Sequence, residues 1–310
     1  MERFKILRKG YNESLGTCER LCKKLRYTTI RVCGSKLPMD RPLVSVVIPT
    51  YNSSSTLEAC LESLKAQTYP NIEIIVVDNY STDVTREIAE RYGVKTLLKG
   101  PERSAQMNHG VMNAGGEYIL RVDSDMVADE GVIEKCIELC HMGVDAVVLP
   151  VLPHPSTLNS FWTRCRMLEQ KMLIDDLVNV APRFMKRSVF LAVGGYDETI
   201  VAWEDYDLHN RLLASKYRLD SLRDSSLWHL SEPASLKQVV SRMLKYGKTG
   251  SLGAFAEKHG SLGLRQIFII RPSYIRHRRY FLSDPSHFIG LMFMKLVQMF
   301  SVALGALSGQ

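Results

Sequence analysis

The hydrophobic positions between residues 43 and 152 fall into short apolar runs that alternate with amphipathic segments. Runs that are apolar at consecutive positions predict strands buried on both faces of a sheet. These runs are LVSVVIPTYN (43–52), IEIIVVDNYSTD (72–83), VKTLLKG (94–100), EYILRVDSDM (117–126) and VDAVVLPVL (144–152). Segments between them, such as TREIAERYG and VIEKCIELCHMG, repeat apolar residues at helical spacing. The alternation predicts an α/β fold with a mixed, mostly parallel sheet and helices on both faces.

Polar residues follow three of these strands where they end: Thr50-Tyr51-Asn52, Asp78 and Asp123-Ser124-Asp125. Ligands of open α/β sheets bind beyond the carboxyl ends of the strands, so we expect the three segments to share one crevice. Two carboxylates one residue apart repel each other unless a cation lies between them. Hard divalent cations such as Mn²⁺ or Mg²⁺ take carboxylate oxygens and leave positions open for phosphates. The pattern therefore predicts a metal- and phosphate-binding crevice.

The apolar pattern is weaker after residue 155 and becomes mostly helical. FWTRCRMLEQKMLIDDL (161–177) and WEDYDLHNRLLASKY (203–217) predict helices, and the second has acids at its start, where the helix dipole favours them. RFMKRSVFLAVGGYDE (183–198) predicts a strand or turn that leads into a helix.

The last apolar segment is FIGLMFMKLVQMFSVALGAL (288–307), which has the length of a membrane span and one charge, Lys295. Lys295 and Gln298 share a helical face, which favours an interfacial or packed helix instead. The preceding RPSYIRHRRYF (271–281) combines basic and aromatic residues, as cytoplasmic membrane interfaces do. We expect this end to contact a membrane; the alternative is a buried C-terminal helix.

Charge divides the chain of 310 residues into three parts. Residues 1–41 hold 11 Lys and Arg against 4 Asp and Glu, residues 42–229 hold 18 against 26, and residues 230–310 hold 11 against 3. The acidic middle suits a cation site and argues against nucleic acid, whereas the basic ends suit a membrane surface or phosphates, or are solvated faces. We predict a basic amphipathic extension over 1–41, a catalytic domain over 42–230, a basic helical region over 231–286 and an apolar helix over 287–310.

The seven cysteines have no close metal-type spacing and are interpreted as reduced thiols. The N-terminus, MERFKILRKGYNES, is charged and lacks the apolar core of a signal peptide. Together with the interface signature, these features predict a location on the cytoplasmic face of a membrane.

Four motifs in order resemble family 2 glycosyltransferases with the GT-A fold: VVIPTYN, VVDNYSTD, RSAQMNHGVMNAGGEYILRVDSDM and GGYDE…WEDYDLHNRL. The resemblance covers about residues 42–230. It implies a nucleotide-diphosphate sugar, commonly a UDP-sugar, bound across the strand ends, and a transfer that inverts the sugar's configuration.

The resemblance also implies roles for individual residues. Asp78 would accept a hydrogen bond from the base, Asp125 would bind Mn²⁺ or Mg²⁺, and Asp205 would be the general base. Asp123 would reach the ribose or the metal, and His229 would be a further metal or diphosphate ligand. The remaining donor-site residues would be Thr50, Tyr51, Asn52, Arg103 and Ser124.

Several of these residues have plainer alternatives. Asp78 could cap a strand end, Arg103 could pair with Glu102 or Asp125, and His229 could be structural. Candidates for contact with an acceptor or a phosphate are Trp203, Glu204, Arg242, Lys245 and Lys248. Of these, Trp203 could be a core residue, Glu204 a helix-start acid, and the three basic residues a solvated face.

The sequence thus predicts an inverting, metal-dependent enzyme of the hexosyltransferase type with a lipid-linked acceptor, such as a polyprenyl phosphate or a lipid-linked glycan. One alternative is a sugar-phosphate nucleotidyltransferase, but PTYNSSST after the first strand lacks the Gly and basic residues of a phosphate loop. Another is an inactive nucleotide-sugar binding module, which the full set of acids argues against.

Overall fold

Two sheets form the centre of the computed structural model, which describes residues 41–178, 180–267 and 271–308. The extension predicted over 1–41 therefore lies, apart from Arg41, outside the described residues. The larger sheet has seven strands: β1 (Val44–Thr50), β2 (Ile72–Asp78), β3 (Lys95–Leu98), β4 (Tyr118–Arg121), β6 (Ala146–Val148), β8 (Phe184–Lys186) and β9 (Leu219–Ser221). The smaller has three: β5 (Met126–Ala128), β7 (Val151–Pro153) and β10 (Leu227–His229).

Helices follow most of the strands. In the first part of the chain they are α1 (Leu57–Lys65), α2 (Thr85–Arg91), α3 (Arg103–Met112), α4 (Val132–His141) and α5 (Phe161–Met172). Next come α6 (Arg187–Ala192), α7 (Glu204–Ala214), α8 (Leu236–Lys248) and α9 (Ser251–Ile267). The last three are α10 (Pro272–Arg276), α11 (Arg278–Ser283) and α12 (Pro285–Ser308). From Pro42 onwards the chain forms one compact unit, so the regions predicted over 231–286 and 287–310 belong to the same body as the sheets.

The large sheet has the strand order β3-β2-β1-β4-β8-β6-β9. Its pairs β1–β2, β1–β4, β2–β3 and β6–β9 are parallel, and β8 runs antiparallel between β4 and β6. All seven residues of β1 are buried, as expected for a central strand with helices on both faces. The predicted mixed, mostly parallel α/β sheet is confirmed.

The parallel register places the polar strand ends side by side. Thr50, the last residue of β1, lies opposite Asp78, the last residue of β2. Gln106 of α3 locks these two ends, because its Nε2 donates hydrogen bonds to the carbonyl oxygens of Thr50 and Val77 at 2.8 and 2.6 Å. The common crevice predicted at the carboxyl edge of the sheet is therefore present.

Two predicted strands are each divided between the two sheets. The run 117–126 leaves the large sheet after Arg121 and continues in the small one at Met126, with a turn closed by a 3.0 Å hydrogen bond from Met126 N to Asp123 O. The run 144–152 breaks at Pro150, which has no N–H to offer a ladder. As a result, the DSD sequence forms the turn between the sheets.

The C-terminal helix α12 is long and apolar enough to cross a membrane, with a mean hydropathy of 1.7 over an 18-residue window of which 33% is buried. One face nevertheless packs on the protein, and its charged residue Lys295 makes a 2.5 Å ion pair with the buried Glu169 of α5. The opposite face is apolar and exposed; it comprises Ile289, Phe293, Phe300, Leu304 and Leu307, and we call it the apolar face. This arrangement fits a helix that packs on the protein along one face; that its exposed face contacts a membrane stays a prediction.

Glycines bring α12 unusually close to α8. A Cβ added to Gly247 would lie 2.3 Å from the carbonyl oxygen of Val302 and 2.8 Å from the Cα of Gly305. A Cβ added to Gly305 would lie 2.5 Å from the carbonyl oxygen of Leu244. The two helices therefore contact each other backbone to backbone, which side chains at either glycine would prevent.

Candidate active site

The end of the crevice formed by β1 and β2 is held together by Asp78. Its carboxylate accepts hydrogen bonds from Thr50 Oγ1 at 2.9 Å, from Ser81 N at 2.8 Å and from Ser81 Oγ at 2.5 Å. Asp78 has no exposed surface. In this conformation the Asp78 carboxylate is enclosed by its own neighbours, which fits the alternative role of strand-end cap. That Asp78 accepts a hydrogen bond from a nucleotide base stays a prediction. Thr50 is likewise buried, so it supports the site rather than lining it.

Outward-facing residues surround this buried pair. Tyr51 and Tyr80 are each 61% exposed, and Asn52 is exposed and has a positive φ of 49°. The Asn52 N–H donates to Ser81 Oγ at 2.8 Å, which fixes this turn beside β2. Ser124 lies next to the same turn, because its Oγ donates to Ser53 Oγ at 2.8 Å. Tyr51, Asn52 and Ser124 thus lie where the sequence predicts a nucleotide.

Asp123 lies in a cluster of arginines rather than facing Asp125 across a shared cation. Its Oδ2 is 3.0 Å from Arg183 Nη2, and its Oδ1 is 3.3 Å from Arg121 Nε and 4.0 Å from Arg103 Nη1. Burial alone would raise the pKa of the Asp123 carboxyl, but Arg121, Arg183 and Arg103 together hold it well below its usual range. The negative charge of Asp123 is therefore already balanced by the protein.

Glu204 completes the same cluster from the start of α7. It is buried, and its Oε1 lies 2.9 Å from Arg103 Nη2 and 3.4 Å from Arg121 Nη2. Contact of Glu204 with an acceptor or phosphate is therefore not supported. The alternative that Arg103 pairs with Glu102 or Asp125 is also wrong, since its partners are Glu204 and Asp123.

Asp125 is the DSD acid that remains available for a metal ion. The small sheet places His229 opposite Met126, and His229 Nε2 lies 3.4 Å from Asp125 Oδ2. Among the described residues no group of three or more His, Cys, Asp or Glu side chains could hold a metal ion. One carboxylate and one imidazole fit a metal whose other ligands are waters and substrate phosphates, as Mn²⁺ and Mg²⁺ sites for nucleotides often are.

Asp205 follows Glu204 in the first turn of α7 but faces a cavity instead of the arginines. Its Oδ1 accepts the N–H of Tyr206 at 2.9 Å, which orients the carboxylate. The residue before this pair, Trp203, has a φ of 68°, a left-handed conformation that is uncommon outside glycine. Trp203 is half-buried and its ring lies 6.4 Å from that of Tyr246, so it is neither a core residue nor a fully open platform.

A cavity of about 310 Å³ lies beside Asp123, Asp205 and His229. The polar residues on its wall include Arg103, Asp123, Arg183, Asp205, His229 and Arg242. The predicted base Asp205 and the DSD acid Asp123, which lie on separate segments of the chain, therefore open onto one cavity, whereas Asp125 does not line it. Arg242 of α8 reaches this space, whereas Lys245 and Lys248 are exposed and do not line it. For these two lysines the alternative of a solvated basic face fits.

Sequence reasoning missed two arginines of this site. Arg121 and Arg183 bind Asp123, yet the motif that contains Arg121 implied no role for it, and Arg183 lies outside the four motifs. Arg183 reaches Asp123 because the segment before β8 lies antiparallel to β4, where Arg121 N donates to Arg183 O at 2.8 Å. The only sequence signal for this role is a basic residue directly before a short apolar run.

Residues 45–190 match the family model described as Glycosyl transferase family 2. These residues include both strand-end segments and the DSD turn. This segment of the chain belongs to glycosyltransferase family 2. The motif resemblance is confirmed, and residues 203–230, which include Asp205 and His229, lie beyond the matched segment.

Curated relatives extend the similarity along the chain. The succinoglycan biosynthesis protein ExoA of Rhizobium meliloti is 28% identical over 244 residues, which cover 72% of this chain and 73% of that protein. The glycosyltransferase GlyG of Streptococcus pneumoniae is 44% identical over 100 residues, or 30% of this chain and 33% of that protein. Identity is therefore higher over a short segment than over the whole chain.

Solved structures share the fold. A mannosyltransferase from Pyrobaculum calidifontis, solved with GDP-Man and Mn²⁺, superposes with a TM-score of 0.59 at 17% identity and covers 87% of this chain and 88% of its own. Residues 1–349 of TarS from S. aureus superpose with a TM-score of 0.50 at 17% identity, over 86% of this chain and 90% of that chain. The chain has the GT-A fold with a C-terminal helical extension.

Proposed function

We propose that this glycosyltransferase transfers a sugar, with inversion and in dependence on a divalent cation, from a nucleotide-diphosphate donor to an acceptor hydroxyl or phosphate. The observation that carries the proposal is the single cavity onto which Asp123, Asp205 and His229 open. Support for the metal comes from the Asp125–His229 pair and from the GDP-Man and Mn²⁺ bound to the archaeal mannosyltransferase.

Each part of the site has a distinct task in this proposal. The nucleotide would contact Tyr51, Asn52 and Ser124, which lie outside the buried, hydrogen-bonded pair of Thr50 and Asp78. Asp125 and His229 would hold Mn²⁺ or Mg²⁺, which supplies counter-charge for the departing nucleotide diphosphate. Because Asp123 is balanced by arginines, it positions those arginines and contributes little charge to the metal.

Asp205 is the proposed general base. It opens onto the cavity, and the Tyr206 N–H holds one oxygen, which leaves the other free to accept a proton. A base of this kind takes the proton of an attacking hydroxyl as the new glycosidic bond forms and the bond to the diphosphate breaks. With an acceptor that is already an anionic phosphate, Asp205 would orient it instead.

We further propose that the acceptor is lipid-linked and that the protein works at the cytoplasmic face of a membrane. The support is the apolar face of α12 and the exposed cations Arg276, Arg278 and Arg279 immediately before this helix. Apolar burial and basic residues together favour an anionic bilayer surface. Four of the seven cysteines lie within the described residues, and these four, Cys60, Cys136, Cys140 and Cys165, are buried free thiols, which suits a reducing compartment.

Thermal-shift screening of the full-length protein against UDP-, GDP- and dTDP-sugars, with Mn²⁺ or with EDTA, tests the donor half of the proposal. We expect one nucleotide class to raise Tm with Mn²⁺ but much less with EDTA, and UDP-sugars are our first expectation. The Asp125→Ala variant should lose this metal dependence. Stabilisation that is equally large in EDTA would contradict the metal proposal. Donor binding without transfer or hydrolysis would instead indicate an inactive binding module.

Flotation with vesicles tests the membrane half. We expect the full-length protein to float with vesicles of phosphatidylcholine and phosphatidylglycerol, and a Phe293→Asp/Phe300→Asp variant to remain at the bottom. The matched control is Met112→Asp/Leu98→Asp, which places the same two charges at exposed apolar residues of α3 and β3, far along the chain from α12. If wild type and the α12 variant float equally, the apolar face does not bind lipid.

A further inference from the structure

Two arginines on the wall of the cavity have buried N–H groups that the protein leaves without a partner. Arg183 Nη1 and Arg103 Nε are buried and have no hydrogen-bond partner among the described residues. Leaving a buried donor unpaired is costly, more so for a charged group, so such atoms point to a missing acceptor. Both residues line the cavity, which places that acceptor in the site itself.

The two arginines differ in how far neighbouring carboxylates balance their positive charge. Arg103 bonds to the buried Glu204 at 2.9 Å and borders Asp123 at 4.0 Å. Arg183 has one carboxylate partner, Asp123, at 3.0 Å, and shares it with Arg121. Arg183 therefore shares its one carboxylate partner with other arginines and keeps a buried donor, Nη1, unpaired.

A third guanidinium reaches the cavity from a different element. Arg242 of α8 is exposed, lines the cavity and donates one long bond of 3.4 Å from Nη2 to the carbonyl oxygen of Ser231. No ion pair of Arg242 occurs within the described parts of the chain. The remaining arginine of the wall, Arg166, is by contrast balanced by Glu169 at 2.7 Å and Glu232 at 3.8 Å.

We propose that Arg183 and Arg242 bind a phosphate group carried by the acceptor. This inference rests on the proposed function. It assigns the arginines to the acceptor because they share the cavity wall with the proposed base Asp205, while the nucleotide-side residues Tyr51, Asn52 and Ser124 do not line the cavity. His229, the proposed metal ligand, also lines this wall, so the donor diphosphate and the acceptor phosphate would meet in this cavity. Guanidinium groups bind phosphate oxygens in paired, charge-assisted hydrogen bonds, which match the unpaired donor of Arg183.

Apolar residues on the same wall favour a phosphate attached to a hydrocarbon chain. Val151, Ile174 and Val180 line the cavity and are only half-buried. An amphiphilic phosphate would place its charge against the arginines and its first carbons against these side chains. The ligand class is therefore a phosphomonoester of an apolar alcohol.

Binding of farnesyl phosphate in detergent micelles tests this assignment. The measurement uses the full-length protein with saturating UDP and Mn²⁺, so that the donor's phosphate positions are filled. We expect the wild type to bind farnesyl phosphate at least about tenfold more tightly than farnesol, because each charge-assisted hydrogen bond contributes on this scale. Arg183→Gln and Arg242→Ala should each weaken farnesyl phosphate binding about tenfold. The control Lys237→Ala removes an exposed cation of α8 that does not line the cavity and should change nothing.

The Arg242→Ala variant keeps the test valid if Arg183→Gln fails to fold, since Arg242 is exposed. Equal affinities of the wild type for farnesyl phosphate and farnesol would overturn the proposal. Displacement of farnesyl phosphate by UDP would also overturn it, because it would assign the arginines to the donor. A third contrary result is binding of inorganic phosphate as tight as that of farnesyl phosphate. Binding of farnesyl phosphate is also measured without nucleotide. If the thermal-shift screen finds no donor, that second measurement still tests the role of the arginines.

Discussion

The buried pair of Glu169 and Lys295 offers a direct test of how α12 is attached to the protein. Glu169 Oε1 lies 2.5 Å from Lys295 Nζ and accepts the Tyr274 hydroxyl at 2.9 Å, and Oε2 lies 2.7 Å from Arg166 Nη1. Burial alone would raise the pKa of Glu169, but Lys295 and Arg166 hold it below its usual range. The substitution Glu169→Gln keeps the shape of the side chain and removes the charge that balances Lys295.

The expected loss in free energy of unfolding comes from leaving the buried ammonium of Lys295 without its carboxylate partner. Breaking a buried ion pair by removing one partner costs about 3–5 kcal/mol. Burial also lowers the pKa of Lys295, so the stranded ammonium can release its proton, and we expect the lower end of that range. About 3 kcal/mol corresponds to a fall in Tm of roughly 6–12 °C for a domain of this size.

The pH dependence of the Glu169→Gln variant has a definite sign. A buried lysine with a lowered pKa binds fewer protons in the folded than in the unfolded protein, so the variant should become more stable as pH rises from 7 toward the unfolded pKa of lysine. In the wild type, the depressed pKa of Glu169 contributes stability above the unfolded pKa of glutamate, and this contribution is lost as pH falls below it.

Urea unfolding followed by tryptophan fluorescence measures these changes. Trp162 is a suitable reporter, because it lies on α5 and its ring is 6.3 Å from that of Phe293 on α12. The control is Lys295→Met, which leaves Glu169 its bonds to Arg166 and Tyr274 and should cost clearly less. A loss below about 1 kcal/mol for Glu169→Gln, the usual value for an exposed ion pair, would mean that α12 does not pack on α5 in solution.

Three further results are expected. Asp125→Ala should abolish transfer, as EDTA does for the wild type, and activity that survives in EDTA would refute the metal's role. Asp205→Asn should lower kcat by about 10²–10⁴-fold while donor affinity in the thermal-shift assay stays unchanged, and an unaltered kcat would mean that the acceptor arrives ionised. Gly305→Ala should lower the free energy of unfolding by about 1–3 kcal/mol through overpacking against α8, whereas Ala at the open position Gly253 is the control.

Much of the catalytic domain could be predicted from local pattern. The apolar runs identified β1 and β2, and parallel pairing then required Thr50 and Asp78 to meet at one edge. The local pattern did not predict the hydrogen-bond partners of the side chains at that edge of the sheet. Whether Asp78 faces a ligand or its neighbours depends on the Ser81 turn, which folds back over the carboxylate and buries it.

The other misses have long-range causes. The run 117–126 has the composition of one strand, and only the pairing of Met126 with His229, about a hundred residues later, shows that it divides between two sheets. The same division brings His229 to Asp125. Arg183 and Asp123 are also far apart in sequence, 60 residues from each other. Residues that the sheet topology brings together share no local sequence pattern. Their contact therefore cannot be predicted from a single sequence without knowledge of the family.

The glycine contact between α8 and α12 has a consequence for which acceptors the enzyme could use. Helices in backbone contact at Gly247 and Gly305 cannot slide past each other without a clash. One of them carries Arg242 on the cavity and the other carries the apolar face. If the apolar face rests on a lipid surface, as proposed above, the height of Arg242 above that surface is then fixed by the protein. A headgroup whose reactive oxygen stands too far above or below that height would be rejected, even if its chemistry were correct.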